Sequence, residues 1–141
     1  GVYTMYGSLG SRSSVILDLD GDGDLDIVTA DFNTEPMVLV SDLAERTTVR
    51  FIKVRLIGSD SNRDGLGARV TVHAGGRRYV QAHDGQSGYL SQSRLPLYFG
   101  LGKSESVEKI EVAWPAGTSQ VVPGPIASGK LVEIEEPEGR E

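Results

Sequence analysis

The 141-residue chain has no cysteine, so disulfide staples and thiol chemistry are excluded, while the compartment stays open on that ground. It has no apolar run near the ~20 residues that a membrane-spanning helix needs. It has no Lys/Arg cluster interleaved with aromatics, and its net charge is -6, which argues against nucleic acid as a partner. Histidine occurs only at His73 and His83, and tryptophan only at Trp114. Helical periodicity is almost absent; "SDLAERTT" (41–48) is the one stretch that suits a short helical turn. No signal peptide is visible. The chain opens "GVYTMYG" without an initiator Met, and the expectation is a processed or excised piece of a longer protein.

What is present is alternation. "FIKVRLI" sets Ile52, Val54 and Leu56 on one face and Lys53 and Arg55 on the other. "VEKIEVAW" does the same with Ile110, Val112 and Trp114 against Lys109, Glu111 and Ala113. "ARVTVHAGGRRYVQA" reads as a hairpin whose Gly75-Gly76 loop supplies the positive φ of a primed turn, with Val72 opposite Tyr79. "TSQVV", a "PGP" turn and "KLVEIE" read as a last pair of strands. Short strands with turns at the density that 18 glycines and 6 prolines allow predict an all-β fold, a β-sandwich or barrel-like domain. Two regions separate: residues 13–40 around an acidic loop, and residues 48–135 holding the strand series. Residues 136–141, "EPEGRE", read as a mobile acidic tail.

The acidic loop is "DLDGDGDLD", residues 18–26. Five like charges so close repel unless a cation joins them. With Asp18 as position 1, Asp20, Asp22 and Asp26 fall at 3, 5 and 9, Gly23 at the sharp turn, and Asp24 where a backbone carbonyl is wanted. Calcium takes six to eight oxygens from a flexible loop, and this spacing suits it; Mg²⁺ prefers fewer protein ligands. Position 12 is Thr29 and the flanks are strand-like, so a β-turn-β calcium site is expected rather than a helix–loop–helix one. The expected metal set is Asp18, Asp20, Asp22, Asp24 and Asp26, with Ca²⁺ as the cofactor.

"SSVILDLDGDGDLDIVTADF" resembles one repeat of the FG-GAP/VCBS class, the calcium repeat of integrin-α-type β-propellers. The resemblance implies side-chain ligand roles for Asp18, Asp20, Asp22 and Asp26 and a carbonyl role for Asp24. A propeller needs several such repeats, and one is present. The second region is similar to the ASPIC/UnbV domain of the cartilage acidic protein family. The residues that carry this likeness are "SNRDGLGARVTVHAGG" (61–76), "GQSGYLSQ" (85–92), "LYFGLG" (97–102), "VEKIEVAWPAG" (107–117), Gln120 and "GKLVEIEE" (129–136). It implies a C-terminal β-domain of secreted or cell-surface proteins and carries over no catalytic residue.

"DSNRDG" (60–65) copies the start of a calcium loop but has Ala68 and Thr71 at positions 9 and 12, so a structural turn is expected. His83 could pair with Asp84, and Ser87 or Ser91 could complete a triad, but no nucleophile elbow supports one. In "HDGQSGYLSQSR" (83–94), Tyr89 is expected to tuck into the core, and Trp114 likewise. The functional expectation is a non-enzymatic, calcium-binding adhesion or recognition module, extracellular or periplasmic, from a larger propeller-type protein. The alternatives are a carbohydrate-binding module, using the 83–94 loop, and an accessory domain of a biosynthetic enzyme. The expected partner is a protein or glycan, and the exposed "PMVLV" (36–40) edge leans toward self-association.

Overall fold

The computed structural model describes residues 11–138 apart from 34, and it is nearly all β. Three strands come first: β1 (Ser11–Leu17), β2 (Asp26–Asp31) and β3 (Met37–Leu39), in the antiparallel order β1-β2-β3. A four-residue helix, α1 (Leu43–Arg46), occupies the polar joint, as its sequence suggested. The remaining strands are β4 (Phe51–Ile57), β5 (Arg69–Ala74), β6 (Arg77–Ala82), β7 (Leu97–Gly100), β8 (Ser106–Ala113), β9 (Ser119–Ala127) and β10 (Lys130–Glu135). They form two sheets, β10-β4-β7 and β6-β5-β8-β9.

These two sheets face each other across one apolar core, which makes the second region a sandwich. Ile52, Val54, Leu56, Phe99 and Ile134 come from one sheet and Val70, Val72, Val107, Ile110 and Val112 from the other, all essentially buried. Every inward residue expected on "FIKVRLI" and "VEKIEVAW" is among the buried set, because period-2 alternation leaves only one face free of charge. Trp114 is buried too, and its indole N–H donates to Gln120 Oε1 at 3.1 Å. The Gly75-Gly76 hairpin forms with φ of 57° and 70°, and Val72 pairs with Tyr79.

Two expectations need correction. "PGP" is not a turn. Strand β9 runs through it, with a bulge where Pro123 faces Lys109 and Ile126 faces Val107. Nor do β9 and β10 pair. The chain crosses between sheets at Ser128-Gly129, and β10 lies parallel to β4, from Lys130↔Ile52 to Glu135↔Ile57. The reason lies in the prolines. β9 is an edge strand, and Pro123 and Pro125 lack the N–H groups that a further partner would need. The edge of β4 has no such gap, and Val132 and Ile134 reach the core beside it.

The stretch expected to begin the tail starts with an anchored residue. Glu136 is buried; its Oε2 accepts the N–H groups of Ser59 and Ser61 at 2.9 Å, and its Oε1 accepts the Ser61 hydroxyl. Burial raises its carboxyl, but the Ser61 hydroxyl and the backbone donors outweigh burial and hold it below the ordinary value. This clamp shapes the 58–66 loop. There the Asn62 side chain bonds both backbone groups of Leu66, the structural turn expected at "DSNRDG".

Candidate metal centre

The acidic loop joins β1 to β2, with Leu17 opposite Asp26 at its base. Its turns are made by its own carboxylates. Asp18 Oδ1 accepts from Gly21 N–H at 2.8 Å, Asp20 Oδ1 from Asp22 N–H at 3.2 Å, and Asp22 Oδ1 from Asp24 N–H at 2.9 Å. This winding brings oxygens of Asp18, Asp20 and Asp22 within 4.8 Å of one another.

Asp24 and Asp26 are not grouped with those three; they are buried and serve as clasps. Asp26 accepts Leu19 N–H through Oδ2 and Ser41 N–H through Oδ1, both at 2.8 Å. Asp24 Oδ2 accepts Ala44 N–H at 2.8 Å, while its Oδ1 is buried with no hydrogen-bond partner among the described residues. Two acids thus tie the 41–44 segment across the loop.

The loop rests on the sandwich. The Gly23 backbone lies so close to Phe51 that a methyl group there would come 2.4 Å from ring atom Cε1, and its φ is +96°. Phe51 stacks on Tyr98 at 5.2 Å between centroids, and the Tyr98 hydroxyl donates to the Gly23 carbonyl at 2.6 Å. Lys53 Nζ pairs with Asp18 Oδ2 at 2.7 Å. Sequence reasoning missed these three docking residues. Lys53 and Phe51 occupy the face of β4 that alternation marks as outward, and only the tertiary fold shows that this face is covered.

The electrostatics follow the geometry. Burial raises the Asp18 carboxyl, but Lys53 and the Gly23 and Gly21 N–H groups overcome it and leave the carboxyl low. For Asp22, the Asp24 N–H lowers the carboxyl, and desolvation with the charges of Asp20, Asp24 and Asp18 more than reverses this. Tyr98 is pushed up to about 12 by burial and then by Asp18, Asp24 and Asp22. Negative charge therefore accumulates at the loop with one ammonium, Lys53, paired against it. Hard carboxylate oxygens in this grouping fit a hard divalent cation.

The other candidate residues lie apart from the loop. His73 Nε2 sits 3.3 Å from Glu111 Oε2, and Lys109 pairs with the same carboxylate. His83 is buried and does not pair with Asp84, whose carboxylate accepts Gln86 N–H instead. Ser87 and Ser91 bond each other, 3.0 Å apart, rather than a histidine. Tyr89 does not enter the core: it is 61% exposed, with the Arg12 guanidinium 5.6 Å from its ring centroid. The physical reason is that Gly88 approaches β1 so closely, at the Ser13↔Gly88 bridge, that the following side chain is carried outward.

An acidic β-hairpin loop docked on a β-sandwich defines the class of molecule. The family model described as ASPIC and UnbV matches residues 58–141, and the chain belongs to that family. Human cartilage acidic protein 1 (Homo sapiens) is 28% identical over 125 residues. The alignment covers 85% of this chain but 18% of that relative, so the chain spans less than a fifth of the relative's length. The family match begins after β4, the central strand of the β10-β4-β7 sheet.

Proposed function

We propose that this chain is a calcium-binding, non-enzymatic recognition module of an extracellular or periplasmic protein. In this reading residues 13–40 are a single FG-GAP/VCBS-like repeat, residues 48–135 are the ASPIC/UnbV β-domain, and both belong to a larger propeller-type protein. The observation that carries the proposal is the convergence of Asp18, Asp20 and Asp22 within 4.8 Å. The unpartnered, buried Asp24 Oδ1 supports it, since such an atom is costly without a positive partner. Asp18, Asp20 and Asp22 would hold the ion through side-chain oxygens, with Asp24 and Asp26 completing the set of five, and the ion's role is to neutralise the loop and fix its shape. The name of the human relative refers to cartilage, which favours an extracellular setting.

Extracellular modules bind calcium with Kd of ~10⁻⁴–10⁻³ M. At ~1 mM free calcium and a Kd of ~10⁻⁴ M, binding stabilises the fold by roughly 1.4 kcal/mol. Calcium should therefore raise Tm by a few degrees, and Asp20→Ala or Asp22→Ala should abolish the response. Titration calorimetry without calcium heat, together with a Tm indifferent to chelator, would refute the reading.

A further inference from the structure

The protein is acidic overall, yet three arginines meet at one cleft of about 430 Å³. Arg55 comes from β4, Arg63 from the loop that Glu136 clamps, and Arg94 from the segment before β7. The buried His83 also lines this cleft, and among the described residues Asp64 is the one acid in its lining. Two of the arginines are held by single-point pairs: Arg55 Nη1 to Glu133 Oε1 at 2.9 Å, and Arg94 Nη2 to Asp64 Oδ2 at 3.0 Å. A guanidinium carries five N–H donors, so a one-point pair orients the fork and leaves most of it available for an oxyanion.

His83, Leu95 and Pro96 also line a second cleft, of about 510 Å³, between β1 and the loop that follows β6. There the polar lining changes to uncharged groups, among them Gln86, Ser87 and Ser93, with Asp84 as its acid. Amides and hydroxyls are each able to donate and accept, which matches the hydroxyls of a sugar ring. Leu95, Pro96 and Leu97 give an apolar wall for the ring's C–H face.

We propose that the two clefts form one site for an acidic oligosaccharide. Its carboxylate or sulfate lies among Arg55, Arg63 and Arg94, and its neutral neighbouring sugars lie along Gln86 and Ser93. The site shares no residue with the Asp18–Asp20–Asp22 group, so it stands or falls apart from the calcium reading. An acidic peptide is the less favoured occupant, because the second cleft offers ring-hydroxyl partners beyond the charge.

The test is a titration of the full chain in chelator, followed by calorimetry and by the Arg side-chain N–H resonances. The probes are hexagalacturonate, sulfated isomaltohexaose, neutral isomaltohexaose and hexaglutamate. Binding of either acidic sugar above the neutral one, with shifts at Arg55, Arg63 and Arg94, supports the site. Which acidic sugar binds tells carboxylate from sulfate. The exposed double change Arg63→Gln with Arg94→Gln should weaken that binding roughly tenfold or more, about the factor one charge-assisted hydrogen bond carries. Unchanged binding in the double variant overturns the proposal. So does equal binding of neutral isomaltohexaose or hexaglutamate, or no binding by any probe. If the double variant does not fold, the wild-type Arg resonances decide alone: shifts confined elsewhere overturn the site.

Discussion

At the residue scale, Lys53 and Gly23 govern the acidic loop from opposite directions. Lys53 supplies the ammonium that Asp18 already holds at 2.7 Å, so a divalent ion at the same carboxylates meets a like charge. Lys53→Met should tighten calcium binding by roughly tenfold, the scale of about 1–2 kcal/mol between a unit charge and a divalent ion a few ångströms apart in a water-like medium. The same change should lower Tm in chelator, because Asp18 loses its partner. Calorimetry and melting curves with and without calcium measure both effects, and weaker calcium binding in the variant would show that Lys53 supports the ion instead. Gly23 has no room for a side chain against Phe51 and sits at φ +96°. Gly23→Ala should cost about 1–3 kcal/mol in denaturant unfolding, the range for a residue forced into a sparse backbone region. A loss within error of zero would mean that the loop does not bear on Phe51.

Elements differ in how their edges are covered. The outer edge of β1 takes the Ser13↔Gly88 bridge and the Tyr89 N–H to Arg12 C=O bond at 3.0 Å. Among the described residues, β3 pairs only with β2, so its other edge is open. Val38 and Val40 are more than half exposed on and beside this strand. An apolar, uncharged edge is a template for another strand. Size exclusion with light scattering should therefore show concentration-dependent self-association, reduced by Val38→Lys. A monomer at high concentration would show that the short β3 is too small to recruit a second chain. The docking of the acidic loop on the sandwich is separate from this question, since it uses Phe51, Lys53 and Tyr98 rather than the β3 edge.

For the whole molecule, the core cluster draws all its buried members from residues 52–134, and none from β1, β2 or β3. A chain starting near Thr47 should thus fold in chelator, with β-type circular dichroism and a cooperative melt. It would expose Phe51 and Tyr98, so some loss of stability is expected. An unfolded fragment would mean that the two regions depend on one another for their stability. The family match from residue 58 excludes β4, which sits between β10 and β7, so a fragment begun there should not fold.

Every strand but β7, with β9 only as far as its prolines, the core faces of β4 and β8, the Gly75-Gly76 hairpin and the carboxylate spacing of 18–26 were legible from the sequence alone. Each depends on contacts within a few residues, through period-2 alternation, turn chemistry and local repulsion. Asp18, Asp20 and Asp22 converge for the same reason, since their side chains wind the loop they stand on. The tertiary structure decided what depends on distant partners. Sequence could not show that β10 lies parallel to β4, because proline's missing donors matter only once β9 is known to be an edge. Nor could it show that Asp24 and Asp26 also clasp the 41–44 segment, because Ala44 and Ser41 reach them only after the joint folds across the loop. Tyr89 turned outward, and Arg55, Arg63 and Arg94 came together, through approaches of segments far apart in the chain. No local pattern encodes such approaches; they follow from how the sheets and loops share space.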